Sequence, residues 1–233
     1  MGTIVAALGG SLLRPEIVMR EIWLTELVDI IGKIVNNGTK IGLVVGGGSP
    51  ARESIDLVKP LISNVGALDK IGIAATRLNA TIIKEVLIEA GISTCSTVPD
   101  SIEVAVSLMM DFDVVVMGGT QPGHTTDNVA IKLAVATNSS KCIIATNVSK
   151  VYDKDPRKNS DARSFDSLSL FDLQNIVGPP EHFRAGDSQV VDPIGVECAI
   201  VNKMELNILD GRKINNLKNS MEGSNFEGTI VSW

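Results

Sequence analysis

Two polar loops each follow a short hydrophobic segment and carry side chains suited to binding phosphate. The first loop, residues 118–127, follows Val114–Met117 and contains three glycines, three threonines and an aspartate. The second loop, residues 146–156, follows residues 141–145 and contains a threonine, an asparagine, a tyrosine, lysines and aspartates. Glycine lets backbone N–H groups approach a phosphate, hydroxyls cap helices, and carboxylates can hold a metal ion. Together the loops predict phosphoryl-transfer chemistry.

Two glycine turns occur earlier in the chain. Residues 9–11 (Gly-Gly-Ser) follow Thr3–Leu8, and residues 46–48 (Gly-Gly-Gly) follow Lys40–Val45. For the first, a tight turn and a functional role are both open. Three consecutive glycines carry an entropic cost that a ligand against the backbone would explain. Arg52 follows within one helical turn, where it could bind a phosphate; a flexible turn with a solvated arginine is the alternative. Neither turn fits the P-loop or the dinucleotide-binding glycine pattern.

Asp127 and Asp192 each stand at the start of a predicted helix, and two roles are open for both. A hydroxyl cap from Thr125 or Thr126, with an acid at the positive end of the helix, is a complete structural explanation for Asp127. A carboxylate in a functional site is the other interpretation of both aspartates. His124 lies in the same loop, and since nothing pairs it with a nucleophile, we interpret it as shaping the loop rather than acting as a base.

The composition restricts the classes of function. The chain has 233 residues, a net charge of −6 and a pI near 5.0, which argue against a nucleic-acid-binding surface. Its three cysteines are widely separated and fit no metal-binding spacing, so we expect reduced thiols. No apolar stretch approaches the roughly 20 residues that span a bilayer. We therefore expect a soluble protein of the cytoplasm without a membrane partner.

Hydrophobic strand patterns alternate with helical patterns along the chain. We predict strands at residues 3–8, 40–45, 93–96, 114–117, 141–145, 206–209 and 229–231. We predict helices at 15–36, from Pro50, and at 73–89, 101–109, 127–136, 168–176, 194–201 and 214–221, with an exposed loop or hairpin at 153–166. Repeated β-α-β units with short glycine turns predict a mostly parallel sheet covered by helices on both faces. Both polar loops would then lie at the carboxyl ends of strands, where such sheets bind ligands.

Taken in order, these turns and loops, together with residues 69–79 and 191–193, resemble the amino acid kinase superfamily over nearly the whole chain. Within it they are most similar to the uridylate (UMP) kinases of the archaeal type, through residues 72–73, 76–79 and 119–127 and the compact length. The resemblance implies an α/β fold, a three-layer α/β/α sandwich around an open, mostly parallel sheet, in a single domain over 1–233. Residues 1 to about 125 would form the UMP lobe, and the remainder the ATP lobe.

The resemblance also implies the reaction and the residues that serve it. The γ-phosphoryl group of ATP would pass to UMP with Mg²⁺, giving UDP and ADP in pyrimidine nucleotide biosynthesis. The residues implied for ATP are Gly10, Ser11, Gly48, Arg52, Thr146, Asn147, Tyr152 and Asp155. Those implied for UMP are Gly47, Asp69, Thr120, Gln121, Pro122, Gly123, His124, Thr125 and Thr126. Asp127, Arg52 and Asp192 would form the catalytic group, and the metal ligands are left unassigned.

Two positions depart from the pattern of the superfamily. Ala7 stands where many members carry a lysine that neutralises charge on the transferring group, and Ser149-Lys150 stands where Asp-Gly is frequent. Since phosphoryl transfer depends on positioning and charge neutralisation, another cation must contribute more. Arg52, Lys150, Lys154 and Mg²⁺ are the candidates.

Other members of the superfamily fit less well. Acetylglutamate kinases usually show a histidine where this chain has Val45, isopentenyl phosphate kinases use a histidine in the helix that here carries Arg52, and aspartokinases usually add a regulatory domain. Another small-molecule kinase of the superfamily stays open as an alternative. A non-catalytic nucleotide-binding or storage paralogue also stays open, because Ala7 replaces the lysine. The resemblance further implies a homo-oligomer, commonly a hexamer.

Overall fold

The computed structural model describes residues 2–13, 20–156, 158–181 and 190–233. In chain order, the strands are β1 (Thr3–Leu8), β2 (Lys40–Val45), β3 (Val114–Met117), β4 (Lys141–Thr146), β5 (Val151–Tyr152), β6 (Ser164–Phe165), β7 (Ser167–Ser169), β8 (Glu205–Asp210) and β9 (Gly228–Ser232). The helices are α1 (Arg20–Asn36), α2 (Gly48–Val58), α3 (Val65–Glu89), α4 (Ile102–Asp111), α5 (Thr126–Ala136), α6 (Leu170–Val177), α7 (Pro193–Asn202) and α8 (Ile214–Glu222), with a 3₁₀ turn at Gly10–Leu13.

Seven strands form one sheet in the order β3-β2-β1-β4-β8-β9-β7. The first five are mutually parallel, β9 is antiparallel to β8, and β7 is parallel to β9. The carboxyl ends of β3, β2, β1, β4 and β8 therefore lie along one edge of the sheet. β5 and β6 pair separately as the hairpin expected within residues 153–166, although β5 begins slightly earlier. The predicted mostly parallel sheet is confirmed.

The sheet is covered on both faces, because its strands alternate buried side chains between two hydrophobic layers. In β1, Val5 and Ala7 face the layer that includes side chains of α4, α5, α6 and α7. Ala6 and Leu8 face the opposite layer, built with α1, α3 and α8. This arrangement confirms the three-layer α/β/α sandwich. The division near residue 125 into a UMP lobe and an ATP lobe stays a prediction.

Local sequence signals set most of the helix boundaries. The side chains of Asn64, Ser101, Thr125, Ser169 and Asp192 each cap a helix by accepting a backbone N–H of its first turn. At the other end, α1, α3 and α8 are each followed by a glycine with positive φ, at positions 38, 91 and 223. Glycine adopts this conformation without a Cβ penalty, so it stops the helix.

Apart from small shifts at the ends of elements, three features differ from the predictions. The third helix begins at Val65 rather than at residue 73, because Asn64 caps it through a 3.0 Å hydrogen bond from the Ala67 N–H. Residues 93–96 are not a strand: Thr94 forms an isolated bridge to Val114. A three-residue strand, β7, precedes the helix predicted to begin at residue 168. The start of the helix predicted from Pro15 lies outside the described residues.

Candidate active site

Backbone contact between the two glycine turns forms the centre of the candidate site. A Cβ on Gly10 would lie 2.1 Å from the Gly48 nitrogen and 2.5 Å from the Gly46 carbonyl oxygen. Gly48 has φ +65°, and a Cβ there would lie 2.5 Å from the Gly10 carbonyl oxygen. Glycine is therefore required on both sides of the contact. The turn after β1 and the turn after β2 form one continuous backbone surface.

Asn79 of α3 holds the triple-glycine turn from behind. Its fully buried side-chain amide donates to the carbonyl oxygens of Gly46 at 2.7 Å and of Gly47 at 3.1 Å. Buried carbonyls that lack a partner are costly, so this side chain stabilises the turn in its observed shape. Asn79 belongs to residues 76–79, which carried the family resemblance, and these hydrogen bonds explain why an asparagine is suited to this position.

The loop that follows β3 is fastened to α3 at two points. The Gly119 N–H donates to the Thr76 hydroxyl at 2.7 Å, and the Gly123 N–H donates to the Asp69 carboxylate at 2.9 Å. A Cβ on Gly118 would lie 2.7 Å from the Thr76 hydroxyl oxygen, so the loop passes very close to the helix. Asp69, predicted to contact UMP, therefore also sets the shape of the loop predicted to hold UMP.

Within this loop, Gln121 and His124 contact each other. The Gln121 amide nitrogen lies 3.2 Å from the ring nitrogens of His124, and the backbone N–H of His124 donates to the backbone carbonyl oxygen of Gln121 at 3.2 Å. These contacts support the interpretation of His124 as a residue that shapes the loop. Thr120 and Pro122 lie in the same loop, and Pro122 is exposed.

Thr125, Asp127 and Asp192 meet where α5 and α7 begin. The Thr125 hydroxyl caps α5 and donates to the Asp192 carboxylate at 2.5 Å. Asp192 in turn caps α7 by accepting the N–H groups of Ile194 at 2.7 Å and Gly195 at 3.2 Å. Burial, with a further contribution from the Asp192 carboxylate, raises the pKa of Asp127 to about 7. Both roles left open for Asp192 are therefore compatible, since it caps a helix and lies beside Asp127.

A cavity of about 290 Å³ opens at the carboxyl end of β4. It is lined by Thr146, Asn147, Val148, Lys150, Tyr152, Asp153, Lys154, Asp155, Pro156, Ile176, Val177 and Val190. Four of these residues, Thr146, Asn147, Tyr152 and Asp155, are among those predicted to bind ATP. The structure thus brings these four residues together around one pocket.

The candidate cations differ in how they are engaged. The Lys150 ammonium pairs with Asp166, and the Lys154 ammonium lies 2.7 Å from the Asp161 carboxylate. The side chain of Arg52 is exposed on α2 and forms neither a hydrogen bond nor an ion pair with the described residues. Arg52 is thus the candidate whose guanidinium is available to an incoming phosphate without breaking an ion pair.

Sequence reasoning missed one group of residues at this edge. Asp210 is the last residue of β8, which lies next to β4 in the sheet, and Gly211 and Arg212 follow it. The Arg212 guanidinium binds the Asp210 carboxylate and also donates to the Asn147 carbonyl oxygen at 3.1 Å. The signal that could have found them is the one used for the other loops: a glycine with charged neighbours directly after a buried strand.

The described residues contain no group of three or more histidine, cysteine, aspartate or glutamate side chains that could hold a metal ion. None of the described helices is both long enough and apolar enough to cross a bilayer. The three cysteines are free thiols.

The model of the amino acid kinase family matches residues 2–210 of the sequence. The chain belongs to this family. Its fold and the arrangement of its glycine turns and strand-end loops agree with that assignment.

Within this family, the individual relatives and solved structures to which the chain is similar include uridylate kinases and UMP kinases. The chain is 37% identical to a uridylate kinase of Methanocaldococcus jannaschii over 97% of its own length and 99% of the relative's. It is 37% identical to a uridylate kinase of Thermoplasma volcanium over 95% and 93%. It is also similar to the crystal structure of the Archaeoglobus fulgidus uridylate kinase, with TM-score 0.84, 33% identity and full coverage of both chains. A UMP kinase of Bacillus anthracis, 20% identical with TM-score 0.79 over 99% and 95% of the two chains, shares the fold.

Proposed function

We propose that this protein is a UMP kinase that transfers the γ-phosphoryl group of ATP to the 5′-phosphate of UMP, giving UDP and ADP. Support comes from relatives named uridylate kinase at 33–37% identity, several of them over nearly the whole chain. The reaction would contribute to pyrimidine nucleotide biosynthesis.

One structural observation carries the proposal. The strand order β3-β2-β1-β4 puts the loop of residues 118–127 and the cavity of residues 146–156 on opposite sides of the joined glycine turns. Three strand spacings of roughly 5 Å separate the ends of β3 and β4, or about 14 Å. Two nucleotides bound at these two places would direct their phosphates toward the glycine turns between them.

In this arrangement we assign the acceptor to the β3 side. Gly47, Asp69 and residues 120–126 would bind UMP, with Asp69 accepting from ribose hydroxyls and the loop reading the uracil edge. The hydrogen bonds to Asp69 and Thr76 support this assignment, because they fix the shape of a loop that otherwise has few anchors.

We assign the donor to the β4 side. Thr146, Asn147, Tyr152 and Asp155 would bind the adenosine part of ATP, and the lining of the cavity supports this choice. Gly10, Ser11, Gly48 and Arg52 would border the phosphates. We expect Mg²⁺ to bind with ATP, where it supplies neutralisation of phosphate charge. Hydroxyl and carboxylate oxygens at this edge suit Mg²⁺, and ATP phosphates would supply most of its ligands.

We propose direct in-line attack by a phosphate oxygen of UMP. This acceptor is already anionic near neutral pH, so the reaction needs no strong general base. Asp127 would organise the groups around the transferring phosphoryl, and Asp192 would line the site. Arg52 would supply the positive charge that a lysine supplies in many members of the superfamily at the position of Ala7. Support for the last role is the exposed guanidinium of Arg52, which has no carboxylate partner among the described residues.

The test is an assay of ADP formation by the purified protein with UMP, CMP, acetylglutamate and isopentenyl phosphate as separate acceptors. We expect ADP formation that depends on UMP and is strongest with it. Arg52→Ala, prepared in the same way, is the control for contaminating kinases. ADP formation with a different acceptor, or none with any, would replace the proposal by another kinase activity or by a non-catalytic paralogue.

We also propose that the protein forms a homo-oligomer, with a hexamer as the expected state. Exposed apolar side chains at Leu57, Leu61 and Leu78, on and beside α2 and α3, support self-association. Light scattering of the purified protein measures its mass directly, and a monomeric mass across the accessible concentrations would contradict this proposal.

A further inference from the structure

Strand β8 ends at a buried acid, Asp210, and the turn that follows contains an arginine bound to this acid. Asp210 is 4% exposed. Its Oδ1 accepts the backbone N–H of Arg212 at 3.0 Å and the Nε–H at 2.9 Å, and its Oδ2 accepts from Nη2 at 2.8 Å. The planar fork of the guanidinium matches the two carboxylate oxygens, and a lysine could not form this pair of bonds. The orientation of the Arg212 side chain is therefore fixed.

The same turn binds two consecutive carbonyls of the wall of the donor cavity. Arg212 Nη2 donates to the Asn147 carbonyl oxygen at 3.1 Å, and the Gly211 N–H donates to the Thr146 carbonyl oxygen at 2.8 Å. Thr146 and Asn147 both line the cavity. Beyond the end of β4 at Thr146, the backbone of the wall is irregular and is not held by the hydrogen bonds of the sheet. The two bonds from the turn therefore fix the conformation of the wall here.

The turn itself has little freedom to move. The Gly211 carbonyl oxygen accepts from the Trp23 indole N–H at 2.8 Å. A Cβ on Gly211 would lie 2.8 Å from the Leu12 Cδ1 and 2.9 Å from the Ala145 Cβ. Packing from α1, from the 3₁₀ turn and from β4 thus holds the turn that presents Arg212.

The hydrogen bond on Asn147 has a consequence for the next residue. In a trans peptide, the carbonyl oxygen and the following N–H point in opposite directions. Fixing the Asn147 carbonyl toward Arg212 therefore fixes the direction of the Val148 N–H, and Val148 also lines the cavity. Within the described parts of the chain, this N–H has no hydrogen-bond partner. It is a backbone donor whose direction depends on Arg212.

We propose that Arg212 is a positioning residue for the donor nucleotide: it orients the peptide between Asn147 and Val148 so that the cavity presents a fixed backbone donor to ATP. This inference rests on the proposed function for its choice of ATP as the ligand. Arg212 acts through the wall and not on the reacting atoms. It lies on the side of the site away from the loop of residues 118–127, so UMP binding does not depend on it.

Two variants and one control test the proposal in the full chain. Arg212→Gln removes the fork, and Arg212→Lys keeps a positive charge beside the buried Asp210 but cannot span Asp210 and Asn147. Lys213→Ala is the matched control, because its ammonium pairs on the surface with Glu227 at 2.7 Å. Calorimetry measures the Kd of the non-hydrolysable analogue AMP-PNP and the Kd of UMP, and the thermal midpoint Tm is recorded for every variant.

We expect both Arg212 variants to raise the Kd of AMP-PNP by about tenfold or more, the scale of one lost charge-assisted hydrogen bond. The Kd of UMP should stay within about twofold for all variants, and Lys213→Ala should leave both values unchanged. An unchanged Kd of AMP-PNP in the folded Arg212→Lys variant would overturn the proposal. If the variants bind both nucleotides equally weakly and also have a lower Tm, the proposal is overturned and the role of Arg212 is purely structural.

The binding experiment separates this inference from the proposed reaction. If the unmodified protein binds AMP-PNP and the Arg212 variants bind it weakly, the positioning role stands even where UMP is not phosphorylated. In an active enzyme the same role appears as a raised KM for ATP with little change in kcat. A protein that binds no AMP-PNP would contradict the inference directly.

Discussion

The hydroxyl of Thr125 donates a 2.5 Å hydrogen bond to the carboxylate of Asp192. This bond joins the first residue before α5 to the first residue before α7, because each of the two side chains also caps its own helix. The positive ends of two helices therefore meet at one carboxylate. Asp127 stands in the first turn of α5, and its burial together with the Asp192 carboxylate raises its pKa.

Replacement of Asp127 by asparagine separates its catalytic role from its structural role. As an acid at a helix end alone, Asp127 would contribute about 1 kcal/mol or less. As an organiser of the groups around the phosphoryl, its loss should lower kcat by at least about 100-fold, or roughly 2.7 kcal/mol of barrier. We expect Asp127→Asn to fold, to bind both nucleotides and to turn over slowly. Steady-state kinetics with a calorimetric check of binding measure this, and a kcat near that of the unmodified enzyme would leave Asp127 as a helix-end acid.

The same substitution should change how stability depends on pH. Burial and the Asp192 carboxylate raise the pKa of Asp127 from 3.8 to about 7 in the folded protein. As pH rises through this window, the unfolded chain loses the proton while the folded chain keeps it, so rising pH favours unfolding. The stability that Asp127 contributes in its protonated form is lost by the time the pH passes about 7.

Asp127→Asn cannot titrate, so its Tm relative to the unmodified protein should rise between about pH 4 and about pH 7 and stay level above that. Thermal unfolding of both proteins across this range is the measurement, and the unmodified protein is its own control at the acidic end. A difference in Tm that is constant with pH would show that Asp127 has an ordinary pKa in the folded state.

Asp69 should control the acceptor rather than the donor. Its carboxylate holds the Gly123 N–H, and we expect it to bind the ribose of UMP as well. Asp69→Ala should therefore raise the KM for UMP by about tenfold or more and leave the KM for ATP nearly unchanged. Asp56→Ala, which removes an exposed acid from α2, is the control and should change neither. A raised KM for ATP with a normal KM for UMP would mean that the two halves of the site are assigned backwards.

The contact between the glycine turns can be tested by comparing two glycines with positive φ. Gly48 has φ +65° and no room for a Cβ, whereas Gly38 has φ +81° and nothing within 4 Å. Gly38→Ala should cost about 1 kcal/mol of backbone strain. Gly48→Ala adds a collision with the Gly10 backbone and should cost about 3 kcal/mol or more. Chemical denaturation measures both, and equal losses would show that the turns separate without difficulty.

Much of the fold could be predicted from the sequence because its signals are local. The strands β1, β2 and β3 have the predicted boundaries, since each is a continuous hydrophobic run that ends at a turn. The error at residues 93–96 arose from a segment too short to show a pattern, and only Thr94 pairs with the sheet. The early start of α3 had a local signal in Asn64, a capping residue that the prediction overlooked.

The loops of the site could be predicted from the sequence, but the hydrogen bonds between residues distant in the sequence could not. Loops that follow hydrophobic strands could be assigned to one edge of the sheet because parallel strands share their carboxyl ends. The bond from Gly123 to Asp69 and the bond from Arg212 to Asn147 join residues 54 and 65 positions apart. No local pattern specifies such pairs, since they depend on how α3 and β8 pack beside the loops.

The 3₁₀ turn after β1 touches both halves of the site, with Gly10 against the backbone of residues 46–48 and Leu12 against Gly211. A shift of this turn on binding one nucleotide would move the surroundings of the other. With such a shift the two binding equilibria would be linked, and linkage is reciprocal. The factor by which ATP alters the affinity for UMP must equal the factor by which UMP alters the affinity for ATP.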